Sequence, residues 1–164
     1  MRNHLIIAAA SLLVLILGIS AVSCSDDSCY DNGSSLPLAS LCVGGREQSV
    51  TGLTVAGIGV PGTTLILDSA TASQVYLPLR ANASSSSFMM RRTTISGSST
   101  ISRTDTITVD YEPIEYFHSM ECGAMFNFDV KRVTHTRHGI DSITVLYHLI
   151  TNSRTPALRI HLAQ

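Results

Sequence analysis

From residue 37 onward, hydrophobic and polar positions alternate with a period of two. Thr104–Tyr111 is the clearest case, with Ile107, Val109 and Tyr111 on one side and Thr106, Thr108 and Asp110 on the other. Ala124–Val133 sets Phe126, Phe128 and Val130 against Asn127, Asp129 and Lys131. Ser142–Ile150 places Ile143, Val145, Tyr147 and Leu149 together, and Ala157–Leu162 places Leu158, Ile160 and Leu162 away from Arg159 and His161. Successive side chains of a strand point to opposite faces, so this pattern predicts half-buried strands. A helix would bring its apolar residues back every three or four positions, and no segment of the body does so.

Shorter runs complete the set. Pro37–Val43 and Val50–Ile58 read as strands, the second with Gly52, Gly57 and Gly59 predicting a bulge or bend. Thr64–Asp68 and Gln74–Leu79 flank a Ser/Ala/Thr turn, and Ser87–Thr93 carries Phe88 and Met90 on one face. Gly97-Ser98-Ser99 marks a hairpin tip. Pro113 predicts a bend or a sheet edge before Ile114–His118. Eight or nine short strands at this spacing predict an all-β fold, an antiparallel β-sandwich of immunoglobulin-like or related Greek-key arrangement. With no Trp in the chain, its core would be aliphatic.

The N-terminus follows a different pattern. After Met1-Arg2-Asn3-His4 come fifteen uncharged residues, Leu5 to Ile19, and then Ser20-Ala21-Val22-Ser23-Cys24. The apolar run is shorter than the roughly 20 residues of a spanning helix and matches an export signal. Ala21-Val22-Ser23-Cys24 resembles the lipobox of bacterial lipoproteins, in which the Cys is acylated and the chain is cut before it; Ala21 stands where Leu is usual. The division expected is a signal peptide over 1–23, an acidic and Ser-rich tether over 24–36 and a β-sandwich over 37–164. The Ser25-Asp26-Asp27 that follows lacks an aspartate next to the Cys. It resembles the acidic export tag of Bacteroidetes-type surface lipoproteins, so the outer membrane is expected, facing the periplasm or the outside.

Composition narrows the function classes. Beyond the signal, ten basic side chains face twelve acidic ones, with a single lysine, Lys131. That balance has no footprint for nucleic acid. Setting Cys24 aside leaves Cys29, Cys42 and Cys122 in a compartment that permits disulfides. Cys42 lies in an apolar strand, whereas Cys29 and Cys122 lie in turn-like sites, so Cys29–Cys122 is the expected pair and Cys42–Cys122 the alternative. No C-x-x-C occurs, which argues against redox catalysis.

Several short motifs invite chemistry. Gly57-x-Gly59-x-x-Gly62 matches the dinucleotide fingerprint, but a turn and a strand follow it rather than the helix that would hold a pyrophosphate. His135, His138 and Asp141 on a hairpin tip have the chemistry of zinc ligands, yet nothing completes the set, and a solvated turn is expected. His118, Glu121 and Cys122 form a second such group. His148 and His161 would be cross-strand neighbours. Glu112 and Glu115 would serve glycoside hydrolysis only if a bulge at Pro113 brought them to one face. Arg91-Arg92 and Lys131-Arg132, with Arg137, read as solvated strand faces before any patch for acidic glycans or lipid headgroups. No cofactor is implied.

Asp68-Ser69-Ala70, Asp105-Thr106-Ile107 and Asp141-Ser142-Ile143 resemble the O-glycosylation sequon of Bacteroidetes envelope proteins, making Ser69, Thr106 and Ser142 candidates. Cys24 with its acidic tether and Cys29, Cys122-Gly123 before a strand, the Asp141-Ser142-Ile143 start and the terminal Arg159-Ile160-His161 together resemble a family of small Bacteroidetes-type outer-membrane lipoproteins of unknown function. The resemblance implies a lipid anchor, a membrane partner and an outer-membrane barrel protein or surface glycan as further partner; it implies no catalytic residue. The expectation is a non-enzymatic binding or accessory module, with an adhesion or surface-filament subunit and a glycan hydrolase as alternatives.

Overall fold

A computed structural model describes residues 35–59, 65–120 and 122–163; residues 1–34, which carry the expected signal and most of the tether, lie outside them. Among the described residues the two-residue period becomes strands and no helix. β1 (Leu38–Val43) and β3 (Val50–Ile58) fall where the pattern predicts them. Between them β2 (Arg46–Glu47) folds back on β1. There follow β4 (Leu65–Ala72), β5 (Gln74–Tyr76), β6 (Ser85–Ser96), β7 (Ser99–Ser119), β8 (Gly123–His135), β9 (Ile140–Val145), β10 (Leu149–Ile150) and β11 (Leu158–Leu162).

These strands form two sheets. One runs β10-β8-β7-β6-β3-β4; the other runs β2-β1-β11-β9, with β5 also on β1. All pairs are antiparallel except β1 with β11, which is parallel. The expected all-β, sandwich-like fold is therefore present with one parallel pair inside it. That pair is central in its sheet, and Leu38 to Cys42 of β1 are buried in succession rather than alternately, as parallel strands covered on both faces are. Ala39, Leu41, Leu158 and Ile160 from this sheet share one apolar cluster with Leu53, Val55, Ile107, Val109, Phe128 and Val130 from the other. Each fully buried side chain of this size contributes about 1.5–3 kcal/mol.

Three expectations about strands need correction. The strands are more numerous than eight or nine, and not all are short: β7 runs for 21 residues straight through Pro113. β6 lies beside β7 only as far as Asp110, so beyond it β7 has β8 alone as a ladder partner. Pro113 thus falls where the missing N–H breaks no bond to β6. Ser142–Ile150 is not one strand. Val145 pairs with Leu158 in one sheet and Leu149 with Asp129 in the other. Crossing between sheets resets the alternation, leaving Tyr147 and Leu149 56% and 52% exposed while Ile150 is buried. β4 continues through the expected turn to Ala72, with Ser69 at φ 46° and register shifts against β3.

Tyr111 fixes the loop that returns from β5 to β6. Its hydroxyl donates to the Arg80 carbonyl (2.9 Å), accepts from the Arg80 N–H (2.9 Å) and meets the Ser86 hydroxyl at 2.8 Å. Its ring packs edge-on against Phe128, with centroids 5.3 Å apart.

At Gly52 the chain bulges with φ +67°, and a Cβ there would sit 2.1 Å from the Thr93 carbonyl oxygen. Only glycine accepts both the left-handed backbone and that approach. Gly52→Ala should lower stability by about 2–3 kcal/mol, seen as a lower urea midpoint at unchanged slope.

Candidate functional site

The chain passes from one sheet to the other between β8 and β9, through the turn at Thr136–Gly139. A single carboxylate organises that turn. Asp105 of β7 keeps the inward parity of Ile107 and Val109 and is only 3% exposed. Its Oδ1 accepts from the Thr136 hydroxyl (2.6 Å) and the His138 backbone N–H (2.8 Å). Its Oδ2 accepts from the Gly139 (2.7 Å) and Ile140 (3.0 Å) backbone N–H groups. The His138 ring lies against the same group, Nδ1 3.3 Å from Oδ1. Thr136 closes the joint by accepting the Thr106 N–H on its hydroxyl (3.0 Å) and donating its own N–H to the Thr106 carbonyl (3.1 Å).

Burial pushes the Asp105 carboxyl up, but the His138 amide, the Thr136 hydroxyl and the Gly139 and Ile140 amides together outweigh it. The carboxyl is held below its ordinary 3.8. A carboxylate offers about four acceptor positions, and here donors from the turn fill them. The sequence signal for this residue was parity: Asp105 stands two positions before Ile107 on the apolar side of an alternating strand.

The candidates marked by sequence are dispersed. Asp105 and Thr106 belong to this joint, and Thr106 is half-buried in it, while Ser69 and Ser142 are exposed. His135, His138 and Asp141 do not converge: His138 turns to Asp105, Asp141 is exposed, and the His135 Nε2 is buried without a hydrogen-bond partner. Among the described residues no three His, Cys, Asp or Glu side chains gather as a metal site would need. His148 and His161 are not neighbours across strands, since His148 Nδ1 meets the Val130 carbonyl (2.7 Å) and His161 is in register with Cys42 and Ser142.

Glu112 and Glu115 lie three apart in an uninterrupted stretch of β7, hence on opposite faces. Glu112 pairs instead with Lys131 (3.2 Å), which also holds Asp129 (2.6 Å), and Arg132 holds Asp110 (2.8 Å). The Lys131-Arg132 doublet is thus met by acidic neighbours on an exposed face. The Asp129 and Glu112 carboxylates raise the Lys131 ammonium above its ordinary value, and Arg132 with Ser85 lowers the Asp110 carboxyl. Arg91 and Arg92 part company: Arg91 is exposed, while Arg92 turns inward and donates from Nη1 to the Ala163 carbonyl (3.1 Å).

Gly57 lies within β3 and Gly59 just after it, β4 pairs antiparallel with β3, and Gly62 lies outside the described residues. Cys42 is a free, buried thiol in β1, and Cys122 is not among the free cysteines. Cys24, Cys29 and Glu121 lie outside the described residues.

Fold and joint together define a small all-β, two-sheet protein closed by a buried carboxylate. Residues 52–162 match the family of unknown function DUF6452, and the chain belongs to that family. No curated protein and no solved structure matches it.

Asp105→Asn should destabilise the fold by about 3 kcal/mol, because an amide presents donors where the turn also presents donors. The folded carboxyl is depressed, so its contribution is present above the unfolded value near 3.8 and is lost as pH falls through the lower folded value. The wild-type advantage over the variant in chemical denaturation should hold from neutral pH to about pH 5 and shrink below about pH 4.

Proposed function

We propose that the chain is a lipid-anchored cell-envelope protein whose β-body is a non-enzymatic binding or accessory module at the outer membrane. The observation that carries this reading is Ala21-Val22-Ser23-Cys24 directly after an uncharged apolar run of export-signal length. Acyl chains on Cys24, each buried CH₂ contributing about 0.8 kcal/mol, would hold the body beside the bilayer. A barrel protein in the same membrane or a surface glycan is the partner proposed.

A Cys29–Cys122 disulfide belongs to the same reading. Cys42 is buried and free, which removes it from competition. The Ser35 N–H donates to the Phe126 carbonyl (3.3 Å) and its hydroxyl bonds Asn127 (2.8 Å), bringing the chain onto β8 close in sequence to Cys122. Cys29 stands six residues before Ser35, a reach of about 20 Å when extended, against about 14 Å along four strand residues from Phe126 to Cys122.

The alternatives have less support. The hydrolase reading asked Glu112 and Glu115 to share a face, and they do not. A filament subunit would pair through an open edge such as β4, where register shifts interrupt the ladder to β3. Such irregularity hinders edge-to-edge pairing.

Mass spectrometry of protein extracted from membranes should show a mature N-terminus at Cys24 carrying acyl chains. Cys24→Ser should abolish both acylation and the cut, so that its product carries no acyl mass and keeps residues 1–23. A wild-type product with an unmodified Cys24 thiol contradicts the proposal.

A further inference from the structure

A groove of about 280 Å³ opens beside the crossing from β9 to β10. Leu36, Leu38, Tyr147, Leu149 and Ile150 give it an apolar lining, and hydroxyls from the loop between β10 and β11 complete it; no charged residue lines it. Leu36, Tyr147 and Leu149 are exposed, as is the flanking Leu146. An ordered backbone holds them there. The Leu146 N–H donates to the Ala157 carbonyl (2.8 Å), the Val130 N–H donates to the His148 carbonyl (2.8 Å), and His148 Nδ1 meets the Val130 carbonyl (2.7 Å). Apolar side chains grouped and fixed in water mark a contact surface.

The path of the chain says what that surface meets. The Ser35 N–H donates to the Phe126 carbonyl (3.3 Å), which fixes the chain where it enters the body, and the next residue, Leu36, lines the groove. Cys24 stands twelve residues before Leu36. Acyl chains on Cys24 would therefore tie the bilayer to the rim of this groove by at most about 40 Å of extended chain. The β6–β7 hairpin lies well away from it. Ile95 there faces Thr100, whereas Leu149 faces Asp129 and Asp129 faces Glu112. From Thr100 to Glu112 β7 runs about 40 Å. The chemistry of the groove agrees with its position. An uncharged apolar floor with a tyrosine and hydroxyls at the rim suits the boundary between headgroups and acyl chains, where the ring is taken up and the hydroxyl stays wet. An acidic sugar or a charged peptide would find no ion-pairing group among these lining residues.

We propose that the lipid surface of the outer membrane covers this groove. Tyr147 and Leu149 seat among the headgroups, and Leu36 sits where the tether meets the bilayer. The body lies on the membrane by this face, and the β6–β7 hairpin stands away from it. The inference rests on acylation of Cys24 and adds to it the face that the anchor turns toward the lipid.

The chain has no tryptophan, so Tyr147→Trp and Ile95→Trp each give the protein a single reporter, both at exposed positions. The full mature protein carrying either one is reconstituted in phosphatidylethanolamine–phosphatidylglycerol vesicles, with or without bromine on the acyl chains near the headgroups. An apolar face at the interface sits about 5–10 Å into the headgroup–acyl boundary, so bromine should lower the Tyr147→Trp emission about twofold. The Ile95→Trp emission should not change. Leu36→Gln together with Leu149→Gln, at two exposed positions, should remove most of the quenching at Tyr147→Trp. Equal Tyr147→Trp emission with and without bromine, equal quenching of both reporters, or quenching untouched by the double variant would overturn the proposal. So would Tyr147→Trp emission that ignores bromine and moves to the blue as protein density rises, which assigns the groove to a second copy. Mass spectrometry of the same vesicles separates the two readings. An unmodified Cys24 overturns the anchor and this face with it, whereas an acylated Cys24 with a bromine-insensitive reporter overturns the face alone.

Discussion

A carboxylate taken out of water has to be met by donors, and Asp105 is met by donors from one short turn. That turn is where the chain leaves one sheet for the other. Its backbone N–H groups at His138, Gly139 and Ile140 all find acceptors on Asp105. Buried donors left unpaired would each cost about 1–3 kcal/mol. The two-sheet arrangement therefore depends on a polar contact inside an otherwise apolar layer, which fixes where β9 begins and so how β11 and β1 are laid against it.

Apolar packing then fills in around that joint. β1 and β11 contribute a parallel pair to the centre of one sheet, while Phe128, Val130, Ile107 and Val109 face them from the other. The outer face of β7 and β8 is organised differently, by solvent-exposed pairs between Lys131 and Arg132 and their acidic neighbours. Such pairs contribute little to stability, but they leave no bare basic patch on that face. Arg92 differs in turning inward, where its Nη1 donates to the Ala163 carbonyl.

Much of this was legible in the sequence where strands have one wet face. Thr104–Tyr111 could be read because alternation persists as long as a strand stays in one sheet, whereas Val50–Ile58 falls in the expected place although Leu53 to Ala56 are buried in succession. Ser142–Ile150 misleads because the chain changes sheets at residues 146–148, and a two-residue period carries no mark of that crossing. Pro113 reads as an interruption, yet β7 passes through it where only β8 lies alongside, a fact of tertiary pairing. The parallel β1–β11 pair joins segments more than a hundred residues apart and has no local signal. Asp105 was visible as a charged residue in an apolar parity position, but its partners lie some thirty residues away and only the fold brings them to it. The histidines and the paired glutamates look like chemistry in one dimension and separate in three.

Hydrogen exchange at the Gly139 and Ile140 amides tests this account most directly, since donors held by a buried carboxylate open only when the sheets come apart. These amides should exchange as slowly as those of Val109 and Phe128 in the central strands. Exchange as fast as at the exposed Gly97-Ser98 tip would show that the crossover is a solvated loop and that the fold does not depend on Asp105.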